Sequence, residues 1–180
     1  MKSVALACLA ASFALSIPTR ALAQDSKSAP LAKQLAAALD AAKLDSIAAK
    51  DPGSPDGFIG ALYFPGLELL VVSARYSAPS LLSDKLLQKN YRDVYIDLNS
   101  ASLLESKLFV EDLGADGLQV KREENKPFDS YTEGTKHVMF DSDWKAQKLS
   151  EDDYKKTFAS ADEKYSTMLT ALLAQLKKPS

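Results

Sequence analysis

Beyond the amino-terminal segment, apolar residues are densest from Phe58 to Tyr76, where Phe58–Phe64 and Leu67–Tyr76 flank Pro65-Gly66. Proline at the second and glycine at the third place of a four-residue turn suit type II geometry, so this run is expected to fold back as a core hairpin. Leu69, Leu70, Val71 and Val72 are consecutive, which predicts a second arm buried on both faces. From Asp93 to Leu98 the pattern alternates: Val94, Ile96 and Leu98 point one way and Asp93, Tyr95 and Asp97 the other, a strand with one wet face. Leu108–Val110 reads as another strand, turned by Gly114-Ala115-Asp116-Gly117 towards a returning partner at Leu118–Lys121. Lys121–Glu133 is polar and carries no periodic signal. Thr135–Phe140 reads as a strand with Val138 and Phe140 on one face.

Three segments have helical spacing. Ser28 can cap a helix with Pro30 in its first turn, and Leu31, Leu35, Ala38, Leu39 and Ala42 follow on one face to about Leu44. Ile47–Lys50 fits a continuation of that helix or a short strand equally well, and Asp51–Gly57, with two prolines, is a loop. Ser77-Ala78-Pro79-Ser80 signals the start of a short middle helix with Leu81, Leu82, Leu86 and Leu87 as its stripe, ending near Asn90. Ser150 followed by Glu151-Asp152-Asp153 starts a long terminal helix, because the hydroxyl caps free amides and the carboxylates favour the positive end of the dipole. Its stripe is Tyr154, Phe158, Ala161, Tyr165, Met168, Leu172 and Leu176.

Residues 1–23 have the parts of a secretory signal: Lys2, an apolar stretch from Val4 to Ile17, and Ala21-Leu22-Ala23 as a small-residue cleavage signature. The expected product starts at Gln24 and is periplasmic or secreted; the apolar stretch is shorter than the roughly 20 residues of a membrane span. Residues 24–180 suit a single domain. The one cysteine, Cys8, lies in the signal, so the exported part has no disulfide and no thiol chemistry. The full chain carries a net charge of −2, and losing Lys2 and Arg20 makes it more acidic. Nothing in that balance favours nucleic acid or an anionic membrane surface.

Candidate chemistry is sparse. Asp112, Asp116, Gly117 and Glu123 fall at positions of a calcium loop, but Gly114 does not fit and strands flank the segment, so a glycine–aspartate turn is the expected reading. His137 is the only histidine, which excludes a multi-histidine metal site, and no G-x-S-x-G elbow marks a serine to work with it. Asp141-Ser142-Asp143 reads as loop decoration. Phosphate-cradling and dinucleotide glycine motifs are absent from the sequence. Arginine is more telling: after the signal only Arg75, Arg92 and Arg122 remain. Arg75 ends the core hairpin just before the expected helix start, so its guanidinium, the hydroxyls of Tyr76, Ser77 and Ser80, and free helix amides form a candidate anion site, with Arg92 on the same rim. The competing reading pairs both arginines with aspartates.

The segments I-A-A-K-D-P from Ile47, Y-R-D-V-Y-I-D-L-N from Tyr91, F-V-E-D-L-G-A-D-G-L from Phe109 and S-E-D-D-Y from Ser150, with the hairpin, resemble an uncharacterised family of exported bacterial proteins. More remotely, the order of elements resembles the flavin-binding split barrels of the pyridoxamine phosphate oxidase type. That second resemblance implies FMN at a homodimer interface, its phosphate held by Arg75 and Ser77. The sequence thus predicts an α+β domain: five to seven antiparallel strands in a curled sheet or split β-barrel, with an N-terminal helix, a short middle helix and a long C-terminal helix. For function it predicts an exported binding or interaction domain without evident catalytic machinery that takes a small anionic ligand. The alternative is an FMN-binding split-barrel protein or oxidoreductase.

Overall fold

The computed structural model describes residues 26–41, 49–50, 57–76, 80–82, 85–87, 91–98, 107–121 and 128–177. Residues 1–25, which hold the expected export signal, lie outside them. The fold is α+β, with helix α1 (Ala29–Ala41) and helix α2 (Glu151–Leu176) bracketing an antiparallel sheet. Its strands are β1 (Ala49–Lys50), β2 (Gly57–Phe64), β3 (Leu69–Tyr76), β6 (Tyr91–Leu98), β7 (Leu108–Leu113), β8 (Ser130–Glu133) and β9 (Lys136–Met139), hydrogen-bonded in that order. Between β3 and β6 the chain makes a separate two-stranded ribbon, β4 (Ser80–Leu82) with β5 (Lys85–Leu87).

Register explains where the core sits. Leu62, Val71, Ile96, Val110, Tyr131 and Val138 are successive partners across six strands. Because side chains alternate along a strand, this row shares one face, and from Val71 to Val138 it is buried. The helices lie on that face: Ala32, Leu35 and Leu39 of α1 and Tyr154, Phe158, Tyr165, Leu169 and Leu172 of α2 join the same apolar cluster. Phe140, just beyond β9, meets Phe158 edge-on at 5.1 Å and Tyr154 at 5.9 Å, the arrangement aromatic rings prefer.

Of the two helix starts, Ser150 caps with its side chain as expected, and Ser28 does not. The Ser150 hydroxyl accepts from the Asp153 amide at 3.1 Å, and three acidic residues follow in the first turn. At α1 the Ser28 carbonyl accepts from Leu31 and Ala32, while its hydroxyl reaches away from the helix. Among the described residues no helix is long and apolar enough to cross a membrane.

Four expectations need correction. Residues 80–82 and 85–87 are paired strands where a middle helix was expected; adjacent leucines at Leu81–Leu82 and Leu86–Leu87 match across a ribbon as well as they stripe a helix. The β2–β3 turn places Glu68, with φ 53°, in the left-handed region, and Gly66 does not adopt positive φ, so the turn is not type II at glycine. β3 is buried on its helix side at Leu69 and Val71, but Leu70 and Val72 on the other side are only half-buried. Finally, β7 pairs with β8 at Ser130–Glu133, not with Leu118–Lys121. The open Ile47–Lys50 alternative resolves as strand at Ala49–Lys50; Ile47 and Ala48 lie outside the described residues.

Candidate functional site

Arg75 and Arg92 are direct cross-strand partners near one end of the β3–β6 ladder. Their parity matches Val71 and Ile96, so both side chains lie on the helix-covered face. There they meet the last turn of α1. Arg92 donates to Ser73 Oγ at 2.6 Å and to Asp40 Oδ1 at 2.6 Å, and Arg75 approaches the same Asp40 oxygen at 3.8 Å. A guanidinium beside a helix C-terminus is also favoured by the dipole. Arg92 is almost wholly enclosed, whereas the Arg75 side chain keeps 25% of its exposure, so Arg75 is the one a solute can reach. Asp40 is 51% exposed, which limits the strength of its ion pairs.

Of the five residues singled out from the sequence, the structure brings Arg75 and Arg92 together. Tyr76 follows Arg75 and pairs in register with Tyr91. Ser80 opens strand β4 opposite Leu87, so it caps no helix, and the helix amides expected there are replaced by a sheet ladder. Ser77 lies outside the described residues. Sequence reasoning missed Asp40 and Ser73. Asp40 stands in the helix stretch and Ser73 two positions before Arg75 with strand parity, a signal that locates a residue on a face but not its partner.

The calcium-like segment is a turn organised by carboxylates. Gly114, Ala115 and Gly117 have φ of 116°, 51° and 89°, a backbone that must be held from outside. Asp112 accepts from the amides of Asp116 and Gly117 and, through Oδ2, from the Tyr165 hydroxyl of α2 at 2.8 Å. Asp129 accepts from Leu113 at 2.9 Å and Gln119 at 2.7 Å, and Asp93 accepts from Gly114 at 3.1 Å. Burial pushes the Asp112 carboxyl up to about 7 against the opposing Tyr165 hydrogen bond. Burial, then the Asp112 charge, raises Asp129 well above the usual carboxylate range. Burial and the neighbouring Asp112 raise Tyr165 as well. These oxygens face backbone amides and a phenol. Among the described residues no group of three or more histidine, cysteine, aspartate or glutamate side chains is arranged to hold a metal, and Glu123 lies outside them.

The remaining candidates serve local structure. His137 is exposed, with Nδ1 2.8 Å from Thr132 Oγ1 on the neighbouring strand. Asp141 accepts from the Asp143 amide and from Gln147 Nε2, and Asp143 accepts from the Ala146 amide, so this pair braces the loop before α2. Fold and site together define a helix-covered antiparallel-sheet domain with an arginine pair at one end of its central ladder. Set against family models, curated proteins and solved structures, the chain matches none.

Proposed function

We propose that the protein is an exported, non-catalytic binding domain that takes a small anionic ligand at the Arg75 end of the sheet. The reading is supported by one observation above the rest: Arg75 and Arg92 are adjacent across the ladder, with Arg92 anchored by Ser73 and Asp40. An anchored planar cation loses little freedom when a second arginine beside it meets an anion, and bidentate oxyanions suit guanidinium geometry. Tyr76, Ser77 and Ser80 supply hydroxyls along the same stretch of chain. The binding contact is a charge-assisted hydrogen bond from Arg75, in a position where Asp40 is its competitor.

A dependent reading, supported by the antiparallel meander and by the same arginines, is a split barrel that holds FMN at a homodimer interface and acts as a flavoprotein. One experiment separates the two. Thermal shifts of residues 24–180 are measured with inorganic phosphate, small carboxylates and FMN, for wild type and Arg75→Ala. The binding-domain reading expects a stabilising anion whose affinity falls roughly ten- to a hundredfold in Arg75→Ala. Uptake of FMN with a yellow, dimeric product supports the flavoprotein. Equal shifts in both proteins, or none in the wild type, refute the Arg75 site.

A further inference from the structure

A second place on the molecule, separate from Arg75, gathers lysines and hydroxyls around one cavity. Between the β8–β9 hairpin and the first turns of α2 lies an open cleft of about 340 Å³, lined by Tyr131, Glu133, Lys136, Lys156, Thr157 and Ser160 among others. That volume is at the lower end of the range of small-molecule sites, about 300–1,000 Å³.

Its carboxylates are already engaged. Glu133 is paired with Lys164 and accepts from the Tyr131 hydroxyl at 2.9 Å, and the Lys164 contact holds its carboxyl below the usual range. Asp153 accepts from the Ser150 hydroxyl at 2.6 Å in the first turn of α2, where the helix dipole favours a negative group. Its lysines form no direct ion pair among the described residues, although the Lys136 charge also acts on Glu133. Lys136 donates across the cleft to Thr157 Oγ1 at 2.6 Å, a neutral partner, and the Thr157 hydroxyl in turn donates to the Asp153 carbonyl at 2.7 Å. Lys156 has no ion pair among the described residues. Two lysines from different elements thus line one concave space with the hydroxyl-bearing Thr157 and Ser160, where the Glu133 carboxylate is taken up by Lys164 and that of Asp153 by Ser150.

We propose that this cleft binds a small oxyanion, a phosphate or a compact carboxylate, between Lys136 and Lys156, with Ser160 donating a third hydrogen bond. Lys136 turns from Thr157 to the ligand, and the freed Thr157 hydroxyl keeps its bond to the Asp153 carbonyl, so no buried polar group is left unsatisfied. Partial exposure keeps the affinity modest and makes it fall with added salt.

The test is an amide NMR titration of residues 24–180 with inorganic phosphate in one arm and malonate in the other, each against sodium chloride at matched ionic strength. Saturable shifts are expected at Lys136, Lys156, Thr157 and Ser160 beyond those of the chloride control. Lys136→Gln with Lys156→Gln, which keeps a donor for Thr157 and leaves both exposed positions polar, should weaken binding about tenfold or more. Arg75→Ala should leave these shifts unchanged. Silence of the cleft amides in both arms, or equal binding by the double variant, overturns the proposal. Loss of binding in Arg75→Ala with silent cleft amides does so too while supporting the arginine site.

Discussion

At Gly117 the backbone and its surroundings admit no side chain. Its φ of 89° lies in the region L-residues rarely adopt, and a Cβ there would sit 2.4 Å from both the nitrogen and the Cα of Ala29 at the start of α1. The neighbouring Leu118 amide donates to Ser28 Oγ at 2.9 Å, so neither the turn nor the helix can back away cheaply. Gly117→Ala combines backbone strain with overpacking and is expected to cost about 3–5 kcal/mol. Chemical denaturation measures it, and a loss under about 1 kcal/mol would show that the turn does not abut α1. Gly114 also has positive φ, but the nearest atoms to its added Cβ belong to the Asp116 side chain at 3.5 Å, so its steric penalty is smaller.

Among the elements, β3 is the hinge of the architecture, since it pairs with both β2 and β6 over its whole length. Val71 lies in the row that the helices cover and is 2% exposed. Val71→Asp puts a carboxylate there without a partner, at a cost of several kcal/mol, a large share of what holds a domain of this size. Circular dichroism and thermal melting should find no cooperative transition; a wild-type melt would place Val71 at the surface. This hairpin, the Ser150-capped helix and the Asp93–Leu98 strand were legible because apolar period and capping chemistry act locally, but the expected wet face of that strand is not wet at Asp93, which is 1% exposed and accepts from the Gly114 amide. β8 was not: in Ser130–Glu133 only Tyr131 is an apolar core residue, too little for a period to register. The partner of β7 was hidden for a different reason. Asp129 grips the amides of Leu113 and Gln119, Asp112 those of Asp116 and Gly117, and the Leu118 amide reaches the Ser28 hydroxyl just ahead of α1, so the choice depends on contacts between residues distant in sequence. The site was half legible on the same grounds, since strand parity can align Arg75 with Arg92, whereas nothing local predicts Asp40.

Across the whole molecule, the carboxylates around the 112–119 turn set how stability depends on pH. Asp112 faces Asp116 in the turn, Asp129 before β8 and Tyr165 on α2, with Asp93 of β6 holding the adjacent Gly114 amide. The folded state raises the Asp112 carboxyl from 3.8 to about 7, so the fold favours the protonated form. That contribution is complete below about pH 4 and disappears as pH rises through about 7, in the order of 2–4 kcal/mol for this group. Denaturant melts should therefore show greater stability at about pH 5 than at about pH 8, and Asp112→Asn should flatten the difference; stability that climbs over this interval would mean the turn amides outweigh burial. Another set of contacts bears on when the fold can be completed. Asp162 of α2 accepts from Ser26 Oγ, the Lys27 and Ser28 amides and Ser28 Oγ, fastening the start of α1 to a residue near the far end of the chain. A polypeptide that emerges amino end first therefore meets its own anchor last. Until α2 is made, α1 can pack on the sheet face but lacks that carboxylate, so the full fastening of its start waits on a contact between residues 136 positions apart, a closure that costs more chain entropy than any local turn.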